Sequence, residues 1–121
     1  MTAASDALRA ALDAAVADGV ALQAPGVHDA VTAKLAAAAG FRALHLSGAV
    51  ASAVRLGLPD LGYLHGTDVA AVAAVVCAAT DVPVIADADT GYGNALNARR
   101  TVEQYAAAGL AGLHLEDQVS P

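Results

Sequence analysis

A chain of 121 residues suffices for one domain that buries roughly two thirds of its unfolded surface, and is too short for two. With 57% hydrophobic and 15% charged residues it is too apolar for a disordered segment, and a net charge of −6 excludes a protein that grips nucleic-acid phosphates. A single cysteine, Cys77, leaves no internal disulfide, no cationic stretch opens a secretory signal, and no apolar run reaches the roughly 20 residues that span a bilayer. The expectation is a soluble cytoplasmic protein without nucleic-acid or membrane partners.

Leu8, Leu12, Ala15 and Val16 recur at helical spacing until Gly19, so a helix is predicted ahead of a short strand over 20–24. After Pro25-Gly26, the positions Val31, Leu35, Ala38 and Ala39 predict a second helix, with Gly40 ending it. Residues 43–47 read as a buried strand, followed by a loop rich in Gly, Pro and Asp through Gly66. Thr67 is expected to cap an apolar helix carrying Val69, Val72, Val75 and Val76 to near Thr80. A third strand is predicted over 82–87, then a glycine-rich loop over 89–94. A helix with Val102, Tyr105 and Ala106 is capped by Gly109, and a fourth strand follows over 112–116.

Ala38-Ala39-Gly40 before Leu44-His45-Leu46 is echoed by Ala107-Ala108-Gly109 before Leu113-His114-Leu115. Strands too apolar to face water, alternating with helices, imply an α/β fold with four parallel strands and flanking helices. That pattern is the N-terminal half of a (β/α)₈ TIM barrel, a fold that normally takes roughly 250 residues. A single partial barrel domain over 1–121, stopping after its fourth strand, is expected.

Asp60 follows the second strand, Asp87 and Asp89 end the third, and Glu116 and Asp117 end the fourth. In parallel α/β folds that edge binds ligands. Asp87 and Asp89, two apart, project together in extended backbone, with Ala86 and Ala88 leaving room beside them. Clustered like charges call for a shared proton or a cation, and hard oxygen donors suit Mg²⁺ or Mn²⁺. The competing reading has each acid capping a helix or pairing with Arg99 or Arg100. Ser47-Gly48-Ala49 would let backbone N–H groups approach a substrate carboxylate, or is an ordinary turn. Gly91-Tyr92-Gly93 does not extend to a dinucleotide fingerprint, because Leu96 stands where a small residue is needed. His45 and His114 occupy equivalent repeat positions, either packed and hydrogen-bonded or functional. His28 and His65 have no recognisable spacing, and Cys77 reads as a small buried hydrophobe.

Pro25-Gly26-Val27-His28-Asp29-Ala30, Leu46-Ser47-Gly48-Ala49, Gly57-Leu58-Pro59-Asp60-Leu61-Gly62, Asp87-Ala88-Asp89-Thr90-Gly91-Tyr92-Gly93 and Glu116-Asp117-Gln118 together resemble the isocitrate lyase/phosphoenolpyruvate mutase superfamily. The resemblance implies a Mg²⁺-dependent barrel enzyme that breaks or forms a C–C or P–C bond beside a 2-oxo or 2-hydroxy carboxylate. It implies that Asp87 binds the metal directly, that Asp60, Asp89 and Glu116 hold its waters, and that Ser47, Gly48, Ala49 and Asp60 meet the substrate. His45 stands where the family usually has tyrosine, and Ala49 where a second glycine is common. Gln118 resembles the 2-methylisocitrate lyase side more than the phosphonate enzymes.

The family's gating loop, with its general-acid cysteine, follows the E-D-Q segment and lies beyond Pro121, so no catalytic proton donor is assigned and the isolated chain is expected to be inactive. Three readings follow. The first is a lyase of 2-methylisocitrate or a similar small carboxylic acid. The second is a phosphonate-type mutase or oxaloacetate decarboxylase relative. The third is a non-catalytic half-barrel that forms a homo-oligomer or docks onto a second half.

Overall fold

Four parallel strands form one sheet in the computed structural model, which describes residues 2–119. Strands β1 (Gly26–Val27), β2 (Leu44–Leu46), β3 (Val84–Asp87) and β4 (Gly112–His114) lie side by side in chain order. Helix α1 (Ala3–Ala17) precedes them. Parallel neighbours need crossovers: α2 (Ala30–Ala38) joins β1 to β2, α3 (Gly48–Leu56) and α4 (Gly66–Ala78) join β2 to β3, and α5 (Ala95–Ala107) joins β3 to β4. Among the described residues no helix is long and apolar enough to cross a membrane.

The two-residue period of the strands divides the sheet into unlike faces. Val27, Leu44, Leu46, Val84 and Ala86 are at most 2% exposed and share a core with Ala33 of α2, Ala51 of α3, Val69, Ala73 and Val76 of α4, and Tyr105 of α5. Each buried Val or Leu contributes about 2 kcal/mol, and a one-residue slip would turn the whole set away from the helices, so the register is strongly specified. The register pairs His45 with Ile85 and Asp87 with His114. His45, Ile85 and Asp87 alternate with the core residues, are only half-buried, and belong to the opposite face.

Several expectations are corrected. No strand forms over 20–24: the Val20 N–H still bonds to Ala15 O at the end of α1, and pairing with β2 begins only where the Pro25 carbonyl accepts from His45 N–H. The loop expected from Gly48 contains helix α3, making five helices among the described residues. Ser47 caps it, with Oγ accepting from Val50 N–H at 3.4 Å, and Gly57 ends it at φ +67°. Helix α4 is entered through His65, not Thr67. The His65 N–H donates to the Asp68 carboxylate at 3.1 Å, so the acid of the first turn serves the cap. The third strand begins at Val84 rather than 82. The fourth ends at His114, because the Glu116 N–H leaves the ladder for Asp89 O.

The buried stripe of α2 is not the large apolar pair: Val31 and Leu35 are 64% and 65% exposed, while Ala33 is fully buried. Alanine at that contact lets helix and sheet close together. On α1, Leu12 and Val16 likewise remain exposed. Gly40 and Gly109 follow α2 and α5 in the left-handed region, as helix ends require. Cys77 is half-buried beside the core, and burial pushes its thiol pKa up.

Candidate metal and carboxylate site

The register places the end of β3 beside the start of α3. A Cβ on Gly48 would stand 2.8 Å from Asp87 Oδ2, so only glycine there lets the carboxylate approach the helix entrance. Ser47, Gly48 and Ala49 are therefore a helix N-terminus rather than an ordinary turn. The N–H groups of an α-helix's first turn have no intrahelical acceptor and carry partial positive charge.

The loop after β3 is stitched to its neighbours on both sides. The Asp89 N–H donates to Asp87 Oδ1 at 3.1 Å, the Ala88 N–H to His114 O at 3.0 Å, and the Glu116 N–H to Asp89 O at 2.8 Å. Thr101 Oγ1, buried on α5, donates to Gly91 O at 3.1 Å. Asp89 and Tyr92 hold φ of +43° and +61°, a left-handed strain that persists only where surrounding contacts enforce it. The expectation that Asp87 and Asp89 project from one extended segment is corrected: Asp89 lies past the strand end in a turn. Ala86 and Ala88 are fully buried in the core rather than making room beside the acids.

The acids nevertheless act on one another. Burial first, then the negative charges of Asp87, Asp60 and Glu116, push the Asp89 carboxyl pKa above its ordinary 3.8, with the Tyr92 hydroxyl opposing. Asp60 reaches this group from the exposed loop after α3, which the buried Ser52 ties down by donating from Oγ to Leu58 O and Pro59 O at 3.1 and 3.3 Å. Glu116 accepts from the Gln118 amide.

Among the described residues the ion pairs are His28–Asp29 and Arg99–Glu103, so none of the four acids has a protein cation, and none caps a helix. No three His, Cys, Asp or Glu side chains among the described residues close on a point as direct ligands. An all-oxygen set, with one carboxylate seated against a helix start and others around it, fits a hard cation that retains several waters.

The raised Asp89 pKa has a signed consequence. The folded chain binds this proton more tightly than the unfolded chain, so without metal the group lowers stability as pH rises from 3.8 through the folded pKa. Asp89→Asn is expected to raise the melting temperature of the metal-free chain at pH 7, with the gain shrinking as pH falls toward 3.8. Thermal melts across that range check this; a gain independent of pH contradicts it.

His45 stacks on His114, with ring centroids 5.3 Å apart and planes inclined by 29°. Its Nε2 is buried without a partner, so the ring is packed but not hydrogen-bonded at that atom. Burial, then the neighbouring His114, hold its pKa below 6.5 against the pull of Asp87. Sequence reasoning missed three residues. Tyr92 packs on Gly66, His65 tilts against the Tyr92 ring at 5.6 Å, and Tyr105 donates from its hydroxyl to Asp87 O at 3.1 Å. The available signal was scarcity: the chain has three tyrosines, and one sits inside the glycine-rich acidic loop.

Residues 8–121 match the family described as phosphoenolpyruvate phosphomutase. The 2,3-dimethylmalate lyase of Eubacterium barkeri is 53% identical over 98 residues, 81% of this chain and 34% of that one. The 2-methylisocitrate lyase of Halalkalibacterium halodurans is 48% identical over 100 residues, 83% of this chain and 33% of that one. A phosphonopyruvate hydrolase solved with oxalate and Mg²⁺ superposes with TM-score 0.87 at 38% identity, covering all of this chain and 41% of its own. The chain thus spans about a third of the length of these curated relatives, and its four parallel strands with flanking helices are part of a (β/α)₈ barrel. Family match, identity and fold agree: the chain belongs to the isocitrate lyase/phosphoenolpyruvate mutase superfamily.

Proposed function

We propose that this chain carries the magnesium- and carboxylate-binding part of a carbon–carbon bond lyase acting on 2-methylisocitrate or a similar small 2-hydroxy or 2-oxo carboxylic acid. The observation that carries the reading is the Asp87 carboxylate against Gly48 at the start of α3, with three further acids whose charges act on the same site and that no protein cation among the described residues neutralises. Asp87 would bind Mg²⁺, or Mn²⁺ in its place, and Asp60, Asp89 and Glu116 would hold the ion's waters. Bound there, a divalent ion supplies stabilisation of the negative charge that develops when a bond beside a carboxylate breaks.

The chain's own residues bind and orient. The first-turn N–H groups of Gly48 and Ala49, with the Ser47 hydroxyl, would clasp the substrate carboxylate, and Asp60 would flank it. His45, whose Nε2 is unpartnered, would offer one hydrogen bond from the sheet face that also bears Asp87. Gln118, beside Glu116, supports a lyase over a phosphonate-type mutase. The reducing cytoplasm is its proposed compartment, in keeping with a single cysteine.

Calorimetric titration with oxalate, the ligand of the magnesium-bearing hydrolase, tests the reading. Oxalate is expected to bind only when Mg²⁺ is present; binding without metal, or none with it, rejects the proposal. A second reading, a half-barrel that assembles with another copy or a separate second half, is favoured by the exposure of Val16 and Leu35. A monomer on a sizing column at the titration concentration removes assembly with another copy.

A further inference from the structure

Two phenols meet in the interior behind the acidic loop. Tyr105, 1% exposed on α5, donates from its hydroxyl to the main-chain oxygen of Asp87 at 3.1 Å, and the Tyr92 hydroxyl lies 3.2 Å from that of Tyr105. A phenol has one proton to donate. Tyr105 commits its proton to Asp87, so its oxygen is an acceptor for the Tyr92 hydroxyl, whose one proton the Asp89 carboxylate also attracts, and the chain of oxygens runs Tyr92 to Tyr105 to Asp87. Burial pushes both phenols' pKa up, Tyr105 to about 12, which keeps both protons in place at neutral pH.

The far end of this chain is also fixed. A Cβ on Gly66, the first residue of α4, would stand 2.7 Å from the Tyr92 ring, and the ring of His65 leans on its other part. Tyr92 is held there at a φ of +61°, which the loop maintains against intrinsic preference. The two hydroxyl groups thus tie the body of α5 to the last residue of β3 and to Tyr92, whose ring packs on the start of α4. The hydrogen bond fixes the Asp87 peptide, and a rotated Asp87 peptide would move the carboxylate that stands beside Gly48.

We infer that Tyr92 and Tyr105 form a hydroxyl relay that positions Asp87 for a divalent cation, Tyr105 being the positioning residue that touches it. The inference rests on the proposed role of Asp87 as a metal ligand. Partners of this kind behind a ligand typically change metal affinity by 10–100-fold when removed.

The test is Mn²⁺ binding to the 121-residue chain, read from the free-ion electron paramagnetic resonance signal, together with the Asp87 carbonyl ¹³C resonance of the metal-free chain. Tyr105→Phe is expected to weaken Mn²⁺ binding about tenfold and to shift that resonance, with far-ultraviolet dichroism unchanged. Tyr92→Phe, which leaves the Tyr105 donor in place, is expected to weaken binding less, by about threefold. Val76→Ala, a core truncation outside the relay, is expected to lose stability and keep its affinity, which separates positioning from general loosening. Wild-type affinity and an unmoved resonance in Tyr105→Phe overturn the relay and leave the metal reading standing. If Tyr105→Phe does not fold, unchanged affinity in Tyr92→Phe overturns it instead. Failure of the wild-type chain to take up Mn²⁺ overturns the metal reading and the positioning role with it.

Discussion

Asp87→Asn is expected to weaken Mg²⁺ or Mn²⁺ binding by about a hundredfold, at the upper end of what loss of an outer partner does. Asparagine preserves the volume of the side chain that stands beside Gly48 and removes only the charge. Asp60→Asn, at a position proposed to hold a water, is expected to cost about tenfold. Asp87→Asn also has a metal-free signature. Asp87 is the first of the three negative charges that raise the Asp89 pKa, so in Asp87→Asn the Asp89 carboxyl titrates at lower pH than in the wild type. Relief of that repulsion also means the metal-free variant does not lose stability. Calorimetry gives the affinity and carboxyl ¹³C titration the proton. An Asp87→Asn chain that binds the ion as the wild type does removes Asp87 from the ligand set.

Gly91→Ala is expected to carry the largest stability loss, about 3 kcal/mol, from overpacking of about 1–3 kcal/mol and left-handed strain of about 1–2 kcal/mol. At φ +91° the added Cβ would stand 2.6 Å from Ala98 Cβ and 2.9 Å from Ala98 Cα. Ala98 cannot step aside. Its turn of α5 follows an Asn94 cap that accepts from both Leu96 N–H and Asn97 N–H, and Thr101 holds the Gly91 carbonyl from the same helix. For a chain of this size the melting temperature should fall by about 10 °C. Gly19→Ala is the comparison: φ is +67° there, but nothing lies within 4 Å, so only the backbone strain of about 1 kcal/mol remains. Chemical denaturation of the two variants measures the difference. Equal losses would show that the close approach of the acidic loop to α5 carries no weight.

The elements were legible where their signals are local. Gly40 and Gly109 announced helix ends, and the apolar 43–47 and 82–87 segments contained β2 and β3. Helix α3 is hidden although Ser47 and Gly57, its two caps, stand at the right separation, because Gly48 at its start and the glycine, proline and aspartate after it, through Gly66, read together as one loop. The 20–24 strand failed for the opposite reason: its apolar residues suit a strand, but where pairing starts depends on the partner's register. On α2 the periodicity was right and the buried face wrong, because Ala33, not Val31 or Leu35, meets the rest of the core. The acids were found as a group through their positions at strand ends, whereas their geometry was misread from an extended backbone that Asp89 does not adopt.

From the sequence alone came the alternation of strand and helix, the parallel sheet, the acidic rim and the family resemblance. All of these follow from residue period, turn chemistry and short motifs, which neighbours along the chain set among themselves. Only the tertiary structure decided that Asp87 leans toward Gly48, that Glu116 bonds to Asp89, that His45 stacks on His114, and that Tyr105 holds the Asp87 carbonyl. Each of those contacts joins residues from different elements, so it exists only once the register of the parallel strands and the closing of helices on small side chains have set the distance between them.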